Sequence, residues 1–161
     1  MKQQDAIALL KADHKAVKEL FAQVEETSER AKATLQRLGD EICRELTIHA
    51  QIEEQIFYPA VQERAKRKHE DEERDQVFEA IEEHAAAKKV IEDIRATDAG
   101  DESYKPKITT LSELIDHHVK EEEREMFPAV KKLLGEEELV DLGQQMAQLK
   151  GQLQQRQAAK T

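Results

Sequence analysis

Three features of the 161-residue chain predict an all-α fold, an up-down-up-down four-helix bundle with a short additional C-terminal helix. Turn formers are scarce, with five Gly and three Pro, so the regular elements must be few and long. Charged residues make up 37% and aromatics 4%, a composition of helices with one solvated face rather than of a sheet. Apolar residues also recur at helical spacing along four long stretches. Short connections between such stretches make neighbours antiparallel. Residues 1–161 fit one domain, with the bundle over about 3–134 and the extra helix over about 136–152.

The first stretch runs from about Asp5, a suitable N-cap, to Ser28, with the stripe Ile7, Leu10, Val17, Phe21 and Val24. The second, about Ala31 to Lys66, carries Leu35, Leu38, Ile42, Leu46, Ile56 and Ala60. The third, about Asp71 to Thr97, carries Val77, Ile81, Ile91 and Ile94, and ends in a turn-rich segment from Thr97 to Ser103. The fourth, about Lys105 to Leu134, carries Ile108, Leu111, Ile115, Ala129 and Leu133, with Gly135 placed to cap it. Pro59 and Pro128 fall inside the second and fourth stretches and predict a kink or local irregularity in each. After the C-terminal helix, a polar tail ending in Lys160 and Thr161 is expected to fray.

Charge and composition narrow the function. A formal net charge of −10 works against a nucleic acid or an anionic membrane as partner. The basic run Arg64 to Lys68 is followed at once by the acidic run Glu70 to Glu73. No apolar run approaches the roughly 20 residues that span a bilayer, and the N-terminus lacks a signal-peptide core. Cys43 is the single cysteine, so neither an internal disulfide nor a thiolate-rich metal site is available. A cytoplasmic protein is expected.

The gaps in the stripes carry the chemistry. His14 sits between Leu10 and Val17, His49 and Glu53 between Leu46 and Ile56, His84 after Ile81, and His118 and Glu122 between Ile115 and Ala129. Residues four apart share a helix face, so His49 with Glu53, and His118 with Glu122, each point inward together. The halves repeat: His14 precedes His49 by 35 residues, His84 precedes His118 by 34, and a proline follows each His-Glu pair at ten residues from the histidine. A lone core histidine is more often a hydrogen-bonded packing residue. Two inward carboxylates without Lys or Arg on their stripes are different, because burying them unpaired costs several kcal/mol. Metal ions offset that charge and need deprotonated His and Glu ligands. The two glutamates could then bridge a pair of ions, with two histidines capping each. Imidazole and carboxylate without thiolate suit Fe, Zn, Mn or Cu. The order, His first and Glu four later, is not the Glu-x-x-His of ferritin-type sites.

His117 with Glu121 has the same spacing as His118 with Glu122, but its face continues through Arg124 and Pro128, so it is set aside. His69 lies in a charged connection and is expected in solvent, and Cys43, beside Ile42, is expected to be a structural thiol.

The words Leu10-Lys-Ala-Asp-His14, His49-x3-Glu53 with Phe57-Tyr-Pro59, His84, and His118-x3-Glu122 with Phe127-Pro128 resemble the haemerythrin-like, or HHE cation-binding, family over about residues 3–134. The resemblance implies a four-helix bundle with two Fe ions, carboxylate- and oxo- or hydroxo-bridged. It also implies chemistry with a small diatomic or peroxide ligand: oxygen, peroxide or nitric oxide. By motif, the metal ligands are His14, His49, Glu53, His84, His118 and Glu122. Oxygen-carrying haemerythrins have a second histidine four residues after the one that matches His84, where this chain has Lys88. Their last carboxylate is an Asp five residues after its His, where this chain has Glu122 at four. The four-His, two-Glu set is more similar to the di-iron domain of bacterial iron-centre repair proteins, without their cysteine-containing segment. A missing histidine leaves a position open for water or substrate, which favours turnover over reversible carriage. Lys88 either snorkels to solvent or stands over the site, and Phe21, Phe57, Tyr58, Met126 and Phe127 are expected to form a dry wall. The functional alternatives are catalase-like or nitric-oxide-related redox chemistry, an iron or oxygen sensor or store read by a protein partner, and a structural bundle holding zinc, with Mn also possible.

Overall fold

Asp5 starts the first helix as its sequence position predicts: its carboxylate accepts a hydrogen bond from the Ala8 N–H at 2.8 Å. In the computed structural model, which describes residues 4–159, helix α1 spans Ala6–Glu26, α2 Lys32–Ile52, α3 Tyr58–Arg67, α4 Asp71–Arg95, α5 Tyr104–Glu121, α6 Phe127–Leu134 and α7 Glu136–Ala159. A π-helical turn, Glu53–Phe57, joins α2 to α3, and a second, Glu122–Met126, joins α5 to α6. Two of the four rods are therefore composite. α1 packs on α2 and α5, and α4 packs on α2, α3 and α5, which is the antiparallel bundle expected. Gly135 adopts a positive φ of 80° and ends α6, a conformation that costs glycine little.

The two π-turns are the irregularity that Pro59 and Pro128 predict. A proline in mid-helix lacks the N–H that would bond four residues back, and its ring crowds that carbonyl. Each chain segment responds by widening the preceding turn. The N–H of Tyr58 reaches the carbonyl of Glu53, and that of Phe127 reaches Glu122, both five residues back. One extra residue per turn slips the buried stripe by one position. Phe57 and Val61 are buried where an uninterrupted helix calls for Ile56 and Ala60, which are half-buried. Val130 likewise replaces Ala129 in the core. The remaining stripes are buried as expected, except that Ile81 and Ile115 are half-buried.

The C-terminal helix differs from expectation in length. It runs 24 residues to Ala159 and packs along α1 and α2 rather than forming a short appendage. Leu139, Met146 and Leu153 supply its buried face. The expected fraying of Lys160 and Thr161 concerns positions outside the described residues. No helix among the described residues is long and apolar enough to cross a membrane.

The apolar interior divides into two parts. One gathers the N-terminal turns of α1 with Ile48, Ile52, Phe57, Tyr58, Val61, Phe127, Val130 and the face of α7. The other gathers Val17 to Val24 of α1 with Leu35 to Leu46, Ile91, Ile94, Tyr104, Ile108 and Leu111. Cys43 is buried in the second part, where burial pushes its thiol up to about 11, as befits a structural cysteine. Between the two parts lie the polar residues of the next section.

The seat of α7 depends on Gly143. A Cβ there would stand 2.5 Å from the Gln4 carbonyl oxygen and 2.9 Å from the Ala6 nitrogen, both backbone atoms that cannot rotate aside. Gly143→Ala is expected to lower stability by about 1–3 kcal/mol, as overpacking does. Gly151→Ala, whose Cβ would meet nothing within 4 Å, should be neutral or gain up to about 1 kcal/mol of helix propensity. Thermal melts of the two variants check this, and equal melting temperatures would sink it.

Candidate metal centre

Each of the four main rods delivers one histidine to the same level of the bundle: His14 from α1, His49 from α2, His84 from α4 and His118 from α5. Each π-turn opens with a glutamate, Glu53 or Glu122, one turn beyond the histidine of its own rod. All six side chains are buried, Glu53 at 0% and Glu122 at 1% exposure. The structure thus brings together all six residues singled out by the gaps in the apolar stripes.

Their inner atoms face one another. His49 Nε2 and His84 Nε2 each lie 3.1 Å from Glu53 Oε1. His14 Nε2 lies 3.2 Å, and His118 Nε2 3.3 Å, from Glu122 Oε1. His84 Nε2 and His118 Nε2 are 3.3 Å apart. Donor atoms held at about 2.0–2.2 Å from one ion stand roughly 3.0–3.5 Å apart, so these are spacings of a ligand shell. Two compact groups result, His14 with His49 and Glu122, and Glu53 with His84 and His118. Each carboxylate also touches a histidine of the other group, which is the geometry of a bridge.

The outer face of every imidazole is occupied. His49 Nδ1–H donates to Asp13 at 2.9 Å, His14 to Glu123 at 2.7 Å, His84 to Glu54 at 3.0 Å and His118 to Glu83 at 2.8 Å. A carboxylate on Nδ1 fixes the ring and turns the Nε2 lone pair inward, as outer partners of metal-binding histidines do. Inside, His14 Nε2, His49 Nε2, Glu53 Oε2 and Glu122 Oε1 are buried without a hydrogen-bond partner, because the short contacts are not aligned as hydrogen bonds. Such orphans cost about 1–3 kcal/mol each, more if charged. A pair of cations satisfies them all, so the residues present fit a two-metal centre.

The electrostatics of the metal-free cluster point the same way. Burial alone pushes the His49 imidazole down, but the Glu53 and Asp13 carboxylates outweigh it and raise it to about 10. His84 and His118 are also raised against their burial, by Glu53 and Glu54 and by Glu122, Glu53 and Glu83 respectively. Glu53 is held well below the carboxylate range, since its histidine neighbours outweigh its burial. Positive charge is favoured here, and without metal the His49 and His118 imidazoles hold protons that supply it.

Tyr58 breaks the symmetry. Its hydroxyl donates to Glu122 Oε2 at 2.6 Å and lies 3.3 Å from His84 Nε2. Burial, with Glu122 and Glu53 beside it, raises the phenol well above its ordinary value, so it keeps its proton. Phe127 occupies the matching place in the other half and stacks on His14, ring centroids 6.0 Å apart. Phe57 and Met126 complete this wall, whereas Phe21 belongs to the other part of the core. On the open side, a cavity of about 330 Å³ reaches all four histidines between Val17, Leu46, Ala87, Ile91 and Ile115. Lys88 lines this cavity. It is half-exposed and pairs with Glu54 at 2.9 Å, behind His84.

His69 is exposed, and His117, 68% exposed, faces outward with Glu121. Sequence reasoning missed the outer carboxylates and the Lys150 ammonium, which reaches Asp13 at 2.6 Å from α7. A signal was present: an acidic residue immediately precedes each lone histidine, as Asp13 and Glu83, and Glu54 and Glu123 repeat the glutamate doublet.

Comparison with known proteins agrees with this geometry. The family model described as "Hemerythrin HHE cation binding domain" matches residues 5–130. A haemerythrin HHE cation-binding-domain-containing protein from Mycobacterium kansasii, solved by crystallography, superposes with a TM-score of 0.80 at 25% identity, covering 97% of this chain and 91% of that one. A protein of Nostoc named a DNA nickase is 28% identical over 148 residues, 92% of this chain, although the match spans only 40% of that longer protein. With its family model matched across the bundle and its histidines and glutamates gathered in one buried layer, the chain belongs to the haemerythrin HHE cation-binding domain family.

Proposed function

We propose that this protein holds two iron ions and reacts with, or senses, oxygen, peroxide or nitric oxide. In this reading His14, His49, Glu53, His84, His118 and Glu122 would hold the two ions. The observation that carries it is the orientation of the four imidazoles: every Nδ1 rests on a carboxylate and every Nε2 points to the common centre. Bound iron supplies reversible electron transfer and coordination positions for a small ligand.

The residues around the centre supply the rest. Bound iron would supply coordination positions for a small ligand beside these six side chains. The cavity of about 330 Å³, with Val17, Leu46, Ala87, Ile91 and Ile115 among its walls, would give a small ligand access to those positions. Tyr58 Oη retains its proton and orients Glu122 through it, so a neutral hydrogen-bond donor stands beside the His84 and His118 position alone. Glu54, shared between His84 and Lys88, fixes that imidazole from behind. A purely structural zinc bundle is the competing reading. The open cavity favours the iron reading, because a structural ion with a closed tetrahedral shell has no use for it. DNA nicking is not carried over from the Nostoc relative, most of which this chain does not match, and a net charge of −10 opposes DNA.

Elemental analysis with absorption spectra tests this directly. About two irons per chain with near-ultraviolet bands that respond to oxygen or peroxide are expected, whereas colourless zinc that resists replacement would overturn the iron reading. Replacing His49, Glu53, His118 or Glu122 with Ala should lower the metal count, while His69→Ala leaves it unchanged. Glu54→Ala, which removes only an outer partner, should weaken metal affinity about 10–100-fold.

The raised imidazoles add a pH prediction. A metal ion must displace the protons on His49 and His118, so loading at pH 7 should release protons, measurable with an indicator in weak buffer. The stabilisation from protonated His49 is complete below its ordinary value of 6.5 and is lost as pH rises through about 10. Metal-free protein should therefore melt at progressively lower temperature from pH 7 to 10, while loaded protein does not follow that trend. Loading without proton release would contradict the account.

A further inference from the structure

We propose that Glu83, His117 and Glu121 form a third, surface cation site that takes a divalent transition-metal ion and passes it to the buried pair. Their donor atoms already cluster. His117 Nε2 lies 3.0 Å from Glu121 Oε1 and 3.5 Å from Glu83 Oε2, and the three residues make a compact group separate from the two buried ones. One imidazole and two carboxylates suit a first-row divalent ion, with its remaining positions left to water.

The pseudo-repeat shows what is missing there. Asp13 and Glu83 play the same part in their two halves, each accepting from the Nδ1–H of the histidine in its own half's His-x3-Glu pair. Asp13 has a fixed counter-charge in Lys150, which α7 brings to 2.6 Å. Among the described residues Glu83 has no Lys or Arg contact. The positions that correspond to His117 and Glu121 are Ile48 and Ile52, both buried in the core that includes α7. Where one half is covered and neutralised by a lysine, the other presents an imidazole and a second carboxylate to solvent. A divalent ion there would do for Glu83 what Lys150 does for Asp13.

A second feature points inward from this site. Glu83 and Glu121 line a cavity of about 20 Å³ together with Glu79, Glu125 and the buried Glu122. Glu122, 1% exposed, reaches from this cavity into the buried centre, where its Oε1 lies 3.2 Å from His14 Nε2 and 3.3 Å from His118 Nε2. The space suits one water-sized occupant, and five carboxylates share its wall with Gln76, Ala80 and Met126. Glu83 itself spans the two sites, with Oε2 toward His117 and Oε1 on the His118 imidazole. The delivery role rests on the two-metal reading above; the surface site does not.

Zinc(II) and cobalt(II) as the probes test both parts on the full chain. Metal-free protein dialysed against rising zinc(II) should take up two ions per chain and then a third of weaker affinity. His117→Ala and Glu121→Gln, both changes at the surface, should each stop at two. Cobalt(II) uptake by the buried pair, followed by its visible absorption, should slow on the order of tenfold in either variant, as loss of a focusing charge cluster does. Saturation of the wild type at two ions overturns the site, and equal uptake rates in wild type and variants overturn the delivery role. If His49→Ala leaves the first two ions in place while the third still depends on His117, the buried two-metal reading fails and the surface site stands.

Discussion

Two buried carboxylates in the middle of a helical bundle are the constraint around which the rest is arranged. Glu53 and Glu122 have almost no contact with water, and neither has a Lys or Arg beside it. Solvating an isolated carboxylate in protein interior costs several kcal/mol even after relaxation. Four imidazoles surround the pair, four more carboxylates orient the imidazoles, and Lys150 and Lys88 attach to the outermost layer. Charge therefore alternates outward from the centre to the surface. The apolar core is split in two by this layer, so the bundle gives up continuous hydrophobic packing at its middle. Positive charge in that layer, on protonated imidazoles or on bound cations, offsets the loss.

The prolines set the register that makes the layer possible. In an uninterrupted α-helix, the residues one and two turns past Glu53 would be Ile56 and Ala60. The widened turn brings Phe57, Tyr58 and Val61 inward instead, and the phenol thereby reaches Glu122 on the opposite rod. A helix irregularity that removes one regular hydrogen bond is offset by a buried aromatic wall and by a hydrogen bond to a central carboxylate. Pi-turns recur at functional sites for such reasons.

Most of the fold and the inner ring of the site were legible in the sequence. The histidines and glutamates interrupted apolar stripes whose period is fixed by helix geometry, so their inward orientation followed from position alone. The stripes beyond Glu53 and Glu122 were not legible in the same way. Period counting assumes constant residues per turn, and a π-turn changes that number without any marker except the proline after it. Asp13, Glu54, Glu83 and Glu123 were missed because they sit beside a ligand position rather than on its face. They bond across to a different helix, and such contacts follow from helix separation and rotation, which one-dimensional spacing does not contain. Lys150 was hidden for a related reason: α7 shows a weak apolar pattern at its end, and its length comes from packing along α1 and α2.

The repeat within the chain has a consequence for how the two halves could become different. Two separate copies of a helical hairpin, paired about a two-fold axis, could make the same layer of four histidines and two glutamates. Symmetry would oblige them to present identical residues at both positions. Joined in one polypeptide, the hairpins are released from that obligation. One has acquired a phenol where the other keeps a phenyl ring, and one histidine rests on an acid tied to a lysine while its counterpart rests on an acid facing solvent. Each half is free to specialise without waiting for its twin.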